Sequence, residues 1–343
     1  MNKKLIALAV AGACVAPTVM AQTASPVTLY GRIYVTVEAV DGDTNASPNR
    51  IRVEDQSSYL GVRGTEDLGG GLKAFYQLET SFRPDSNNST FANRNSGIGL
   101  QGGWGSVMAG RWDMPFKSAT IAIDPYGDLT IGGITSAANN RGNFDIRQQN
   151  VIQYWSPNWS GFAVKLAYGV NEGKNATVNP EAYGASLVYS KGPLYLAYAY
   201  EEHKDGNGGL TTTTANYKEE GNALVGRFQI GPVKIGASYQ EFKKTGMTKE
   251  KTLYIPVVWT TGKHDLSFVY TDSQDGGANG AATQPECQVI AAGWQYNWTR
   301  RTFFLAQYAQ ADNDGGAACR IGGFTGGANS EPVGFSLGLR HVF

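Results

Sequence analysis

The decapeptide Gly334-Phe-Ser-Leu-Gly-Leu-Arg-His-Val-Phe343 decides the fold. Laid out as a strand, it puts Phe335, Leu337, Leu339, His341 and Phe343 on one side, and Ser336, Gly338 and Arg340 on the other. An apolar side that ends on a bare aromatic is an adhesive edge in water. The same strand is at home where it closes a cylinder whose outside meets lipid, because a closed sheet leaves no backbone group unpaired in hydrocarbon. On that reading the five residues Phe335, Leu337, Leu339, His341 and Phe343 form a membrane-insertion signal. A buried sandwich strand shows the same alternation, so the choice rests on whether the pattern recurs upstream.

It does. Strands are expected over 27–40, 58–64, 72–79, 91–101, 105–111, 151–156, 161–171 and 182–189. Further ones are expected over 194–202, 221–229, 233–242, 253–260, 265–271, 288–295 and 302–310, before the terminal strand. In the first, Leu29, Gly31, Ile33, Val35 and Val37 oppose Tyr30, Arg32, Tyr34, Thr36 and Glu38. Tight turns such as Ile230-Gly-Pro-Val233 and Thr261-Gly-Lys-His264 alternate with longer loops. The count is sixteen, an even number that leaves both mature ends on one side. The expected fold is therefore all-β, a 16-stranded antiparallel transmembrane β-barrel. Pro256 falls inside one strand and removes a ladder hydrogen bond, which predicts a bulge or strand end there. The stretch 112–147 breaks the rhythm; so long a loop in a compact domain belongs where it serves function.

The N-terminus reads as an export signal over 1–21: basic Lys3 and Lys4, an apolar run, then Val19-Met-Ala21 for cleavage. The barrel domain is expected over 22–343. Removing the leader leaves 27 basic against 29 acidic residues, which argues against nucleic acid as a partner. Cys287 and Cys319 remain, both in loop-like sequence, and either a bridge or two free thiols fits an oxidising compartment. The 44 glycines and 18 tyrosines suit an all-β chain, and no run after the leader is apolar enough to cross a membrane as a helix.

Several stretches, in order along the whole mature chain, resemble the general diffusion porins of Gram-negative outer membranes, of the β-proteobacterial type. They are Val27-Thr-Leu-Tyr-Gly31, Ser58-Tyr-Leu-Gly-Val-Arg-Gly-Thr-Glu-Asp-Leu-Gly-Gly-Gly-Leu-Lys-Ala74 and Phe91-Ala-Asn-Arg94. Ala109-Gly-Arg111, Asn150-Val-Ile-Gln-Tyr-Trp-Ser-Pro157 and Gly338-Leu-Arg-His-Val-Phe343 complete the set. The resemblance implies a homotrimer in the outer-membrane lipid, with the third loop folded into the lumen. It also implies a narrow zone of wall arginines facing acids on that loop. Arg94 and Arg147 match two family arginines. Tyr59 stands where the family has an arginine after Ser58, and Tyr34 where it often has an aspartate. Arg32 shares their parity.

The expected constriction is thus Arg32, Arg94, Arg147, Tyr59 and Tyr34 against Asp124 and Asp128. Low-dielectric walls concentrate the field of such charges, and arginines favour anions. The expected function is passive diffusion of ions and small hydrophilic solutes with a mild anion preference. A substrate-biased channel with an aromatic or charged track is the alternative, and a barrel adhesin or enzyme belongs to another class. Trp155, Trp159, Trp259, Trp294 and Trp298 suit interfacial belts; a lumenal track for sugars is the other reading. The outer faces of Gly31, Gly97 and Gly99 would suit close contact between barrels. Gly334-Phe-Ser-Leu-Gly338 fits a nucleophile motif but lacks the helix such an elbow needs. The three histidines are scattered, so neither a cofactor, a catalytic set nor a metal is expected.

Overall fold

The computed structural model describes residues 27–86, 90–127, 130–134, 144–207, 212–274, 285–317 and 319–343. Its strands begin with β1 (Thr28–Asp41), β2 (Arg50–Asp55), β3 (Tyr59–Gly69), β4 (Leu72–Ser81), β5 (Ser96–Gly102) and β6 (Gly105–Asp113). A short helix, α1 (Pro115–Thr120), and a 3-10 turn (Ile121–Ile123) follow. Then come β7 (Arg147–Trp155), β8 (Phe162–Gly169), β9 (Glu181–Lys191), β10 (Leu194–Asn207), β11 (Thr212–Ile230) and β12 (Val233–Lys244). The chain ends with β13 (Glu250–Thr261), β14 (His264–Gln274), β15 (Glu286–Asn297), β16 (Thr302–Asp314), a small hairpin β17 (Arg320–Ile321) and β18 (Phe324–Thr325), and β19 (Val333–Val342).

Neighbouring strands pair antiparallel, and β1 pairs with β19, so the sheet closes. β1 also takes β2 along its second half and β3 along its first. β2 and β3 are two lengths of one interrupted strand, and the cylinder has sixteen antiparallel strands. At the seam Gly31 and Phe343 exchange both backbone hydrogen bonds, at 3.1 Å each. The Phe343 ring lies over Gly31, where an added Cβ would stand 2.5 Å from it. Gly192, Gly231 and Gly262 hold φ near +58°, +55° and +58°, which lets two residues reverse the chain at one end of the barrel.

Burial runs opposite to that of a soluble protein. On β19 the apolar side is bare, with Phe335 61%, Leu337 55% and Leu339 52% exposed, while Ser336 on the other side is 1% exposed. Leu29, Ile33 and Val37 are likewise exposed on β1, and Thr36 and Glu38 are buried. The buried side carries the packed core. Phe116, Ile123, Tyr126, Ile131, Ile134 and Phe144 join Tyr195, Val225, Phe242, Tyr254, Phe303 and Leu305 in one cluster on the face opposite the bare one.

Several local expectations are corrected. β2 was not anticipated, because Arg50-Ile-Arg-Val-Glu-Asp55 is too charged to look half-buried. β5 begins at Ser96, and Phe91–Asn95 lies outside it. The 112–147 stretch contains α1, opened by Pro115 at its first turn, where a missing N–H costs nothing. Pro256 neither ends nor bulges β13. It keeps register with Val269 on β14, while the ladder to β12 skips between Ile235↔Val257 and Ser238↔Tyr254. Its ring fits there because a Cβ on Gly236 would stand 2.9 Å from it. Gly97 and Gly99 point inward, toward Met108 and Phe75, so the outer-face role expected of them falls; Gly31 alone of the three faces outward. Cys287 is in β15 and is bridged to Cys319, both buried.

Candidate functional site

The inner wall is built around the break between β2 and β3. Ser57 takes φ of +63°. Asp55 Oδ1 accepts the Ser58 N–H at 2.9 Å, and the Tyr34 N–H donates to Ser58 Oγ at 2.9 Å. These bonds replace the ladder lost at the break and turn two carbonyls toward Arg32. Arg32 Nη2 donates to the carbonyls of Ser57 at 2.8 Å and Gln56 at 3.2 Å. Arg94 reaches the same break, its Nη1 donating to Ser57 Oγ at 2.7 Å. Its Nε meets Glu79 Oε1 at 2.6 Å, and the Tyr30 hydroxyl donates to Glu79 Oε2 at 3.1 Å.

Aromatic faces order the guanidiniums. The Tyr59 ring lies beneath both Arg32, at 5.3 Å, and Arg94, at 4.9 Å. Arg63 sits over Tyr30 at 4.8 Å, and Arg340 over Phe303 at 4.2 Å. Phe303 in turn meets Tyr34 edge to face at 5.6 Å. Such stacking fixes a cation without neutralising it. Of the expected set, Arg32, Arg94, Tyr59 and Tyr34 therefore lie together.

Arg147 lies farther along the wall. Its Nε is 3.3 Å from Asp113, which Lys117 of α1 also approaches at 3.5 Å. Asn95, next to Arg94, donates to Asp113 Oδ2 at 2.8 Å and links the two groups. Lys117 also meets Asp145 at 3.4 Å.

Asp124 sits on the segment packed against the opposite wall, and it is an anchor. Its Oδ1 accepts from the Tyr254 hydroxyl at 2.9 Å and the Tyr126 N–H at 3.1 Å; its Oδ2 accepts the Ile134 N–H at 3.1 Å. The Tyr195 hydroxyl donates to the Ala119 carbonyl at 2.9 Å, and Arg227 Nη1 to that of Ala122 at 2.8 Å. Tyr126 donates to the Ser267 carbonyl at 3.3 Å. Two wall glycines leave room for its rings: a Cβ on Gly293 would stand 2.6 Å from Tyr126, and one on Gly221 2.9 Å from Phe144. Asp128 lies outside the described residues.

The sequence reading missed several partners. Glu79 and Arg340 were on the polar side of their strands, but nothing local marked them as neighbours of Arg94 and Tyr34. His203, set aside as scattered, is buried between Glu201 at 2.8 Å and Glu219 at 2.7 Å, beneath the Phe144 ring. Trp155 is not in an outer belt: it packs inward on Trp112 and Phe75, whereas Trp159, Trp259, Trp294 and Trp298 are exposed.

The charges do not balance across this wall. Glu38 pairs with Arg52 at 2.7 Å, Glu79 with Arg94, and Asp113 with Arg147 and Lys117. Arg63 and Arg340 meet rings and, among the described residues, no carboxylate.

A family model described as Gram-negative porin matches residues 7–316. The outer membrane porin protein 32 of Delftia acidovorans is 30% identical over the whole of both chains. The solved anion-selective porin from Comamonas acidovorans superposes with a TM-score of 0.78 at 25% identity, covering 93% of this chain and all of that one. OmpT of Vibrio cholerae, in its trimer form, gives 0.72 at 17% identity over 94% of this chain and all of that one.

Proposed function

Because the chain belongs to the Gram-negative porin family, we propose that residues 114–127 and 130–134 fold into the lumen and, with the arginine wall, make a narrow zone with a mild preference for anions. The protein is an outer-membrane porin, a water-filled path for ions and small hydrophilic solutes. The observation that carries the anion preference is the pairing of Glu38, Glu79 and Asp113 with bases, while Arg63 and Arg340 meet only rings. The field along that wall is then net positive, and the flanking low-dielectric wall concentrates it. The relative from Comamonas described as anion-selective supports the same sign.

A reversal potential in a planar bilayer under a KCl gradient tests this. Chloride should carry more current than potassium, and clear potassium selectivity would refute it. The leader over 1–21 and a three-barrel assembly belong to the same reading. The trimer form of the Vibrio neighbour supports the assembly, since its fold is shared. Conductance inserting in groups of three steps, from protein that begins at Gln22, would bear out both.

A further inference from the structure

Strands β10 and β11 bury three titratable groups that the channel reading does not use. Glu201 and His203 of β10 and Glu219 of β11 are all 0% exposed. His203 stands opposite Glu219 in the ladder. Its Nε2 lies 2.8 Å from Glu201 Oε1 and its Nδ1 2.7 Å from Glu219 Oε1. Each of these hydrogen bonds needs a proton, so the trio holds two protons and carries one net negative charge. Glu219 Oε2 also accepts from the Tyr217 hydroxyl at 3.4 Å, whereas Glu201 Oε2 is buried and has no hydrogen-bond partner among the described residues. The flat face of the imidazole supports Phe144, with ring centroids 5.2 Å apart and planes at 13°. Phe144 meets Phe116 of α1 at 5.7 Å, and both meet Phe242 of β12. The stack therefore runs from His203 through Phe144 to the helix. The other charged groups around the trio are already paired. Asp145 meets Lys117 of α1 at 3.4 Å; Lys244, opposite Glu219 on β12, meets Glu250 of β13 at 3.2 Å. β9 faces the trio with Ala182 and Gly184 alone.

We propose that His203 is a positioning residue for the inward segment, and that Glu201 makes its hold on Phe144 and α1 depend on protons. With both glutamates ionised, charge-assisted bonds grip the imidazolium at both edges, and its cationic face meets the Phe144 ring. A further proton from solvent goes to Glu201 Oε2, the carboxylate oxygen of the trio with no bond to lose. The Oε1 bond then loses one of its two charges and weakens. The new O–H is left buried without an acceptor, which carries its own cost. Water entering the cluster relieves both, tilts the imidazole and loosens Phe144. Acid thus frees α1 at the Phe116 end, while Asp124 keeps the rest of the segment tied to Tyr254. The inference rests on the reading that the segment folds into the lumen, and it adds a control to that segment.

Single-channel recordings in symmetric KCl, taken from about pH 8 down to about pH 5, test the proposal across the window where imidazole and its partners exchange protons. Open-channel noise should rise about fivefold at the acid end, the scale of one weakened hydrogen bond. Glu201→Gln keeps the shape of the protonated acid and cannot titrate. It should show the acid level of noise at both ends and lose the pH profile. Phe144→Leu leaves the trio in place and removes the stack, so it should flatten the profile too, and it carries the test if Glu201→Gln fails to fold. Glu241→Gln alters an acid of β12 that pairs with Lys249 away from the trio, and it should keep the wild-type profile. Wild-type noise that does not change with pH overturns the proposal. So does a wild-type profile that persists in Glu201→Gln or Phe144→Leu. Failure of the segment reading is told apart by Gly293→Val, whose crowding of Tyr126 does not depend on pH. Unchanged conductance in that variant would strike at the segment's place in the lumen, and not at the proton control alone.

Discussion

At the scale of single residues, the pairing of Arg94 with Glu79 sets the sign of two substitutions. Both side chains are nearly buried and share hydrogen bonds with Ser57 and Tyr30. Arg94→Ala leaves Glu79 charged and uncompensated in a tight wall, a loss that reaches about 3 kcal/mol where water is excluded. It should lower both the thermal stability of the folded barrel and the chloride-to-potassium permeability ratio. Glu79→Gln should raise that ratio, because it frees the Arg94 charge. Arg63→Gln removes a cation that touches only a ring, so it should lower the ratio with a stability change under about 1 kcal/mol. Heat-dependent gel mobility and bilayer reversal potentials separate the three, and a rise in anion preference in Arg63→Gln would contradict the account. Which residues face inward could be read in the sequence, because parity follows from period two. Which of them meet could not. The Arg32, Arg94 and Ser57 contact depends on a strand break that no local pattern announced, and Ser57 is ordinary in the sequence except for its backbone angle.

Between neighbouring elements, the described residues between α1 and Ile134 are held by hydroxyls and glycines of strands β9 to β15. Tyr254→Phe deletes one hydrogen bond to Asp124, worth about 1 kcal/mol. It should increase current noise more than it changes mean conductance. Gly293→Val is harsher, since the new side chain takes the space of the Tyr126 ring. It should displace the segment and raise mean conductance. Unchanged noise and conductance in both variants would mean that the segment does not line the current path. The strands themselves were legible from alternation, and their number came out right even though β2 was missed, because β2 and β3 complete a single strand. The helix was not legible. At six residues, α1 is too short for a 3.6-residue period to show, and its stability comes from the wall it packs on.

For the whole molecule, the disulfide and the small hairpin tie the outer loops to what lies below. Cys287 of β15 joins Cys319 across 32 residues, just before β17. A crosslink of that span contributes about 4 kcal/mol by restricting the unfolded chain. Cys319→Ser should therefore lower the folded barrel's melting temperature, and reductant should have little further effect on that variant. Additional destabilisation of Cys319→Ser by reductant would show that the thiol chemistry acts elsewhere.

The hairpin held by this bridge does not stop at the surface. Phe324 lies beneath Arg50 and Arg52, at 5.0 and 5.4 Å, and a Cβ on Gly322 would stand 3.3 Å from Ile131. If the segment lines the lumen as proposed above, mouth and throat are one mechanical piece. An antibody gripping the exterior there would pull on the passage beneath, and its attachment would register as a change in current without ever plugging the hole.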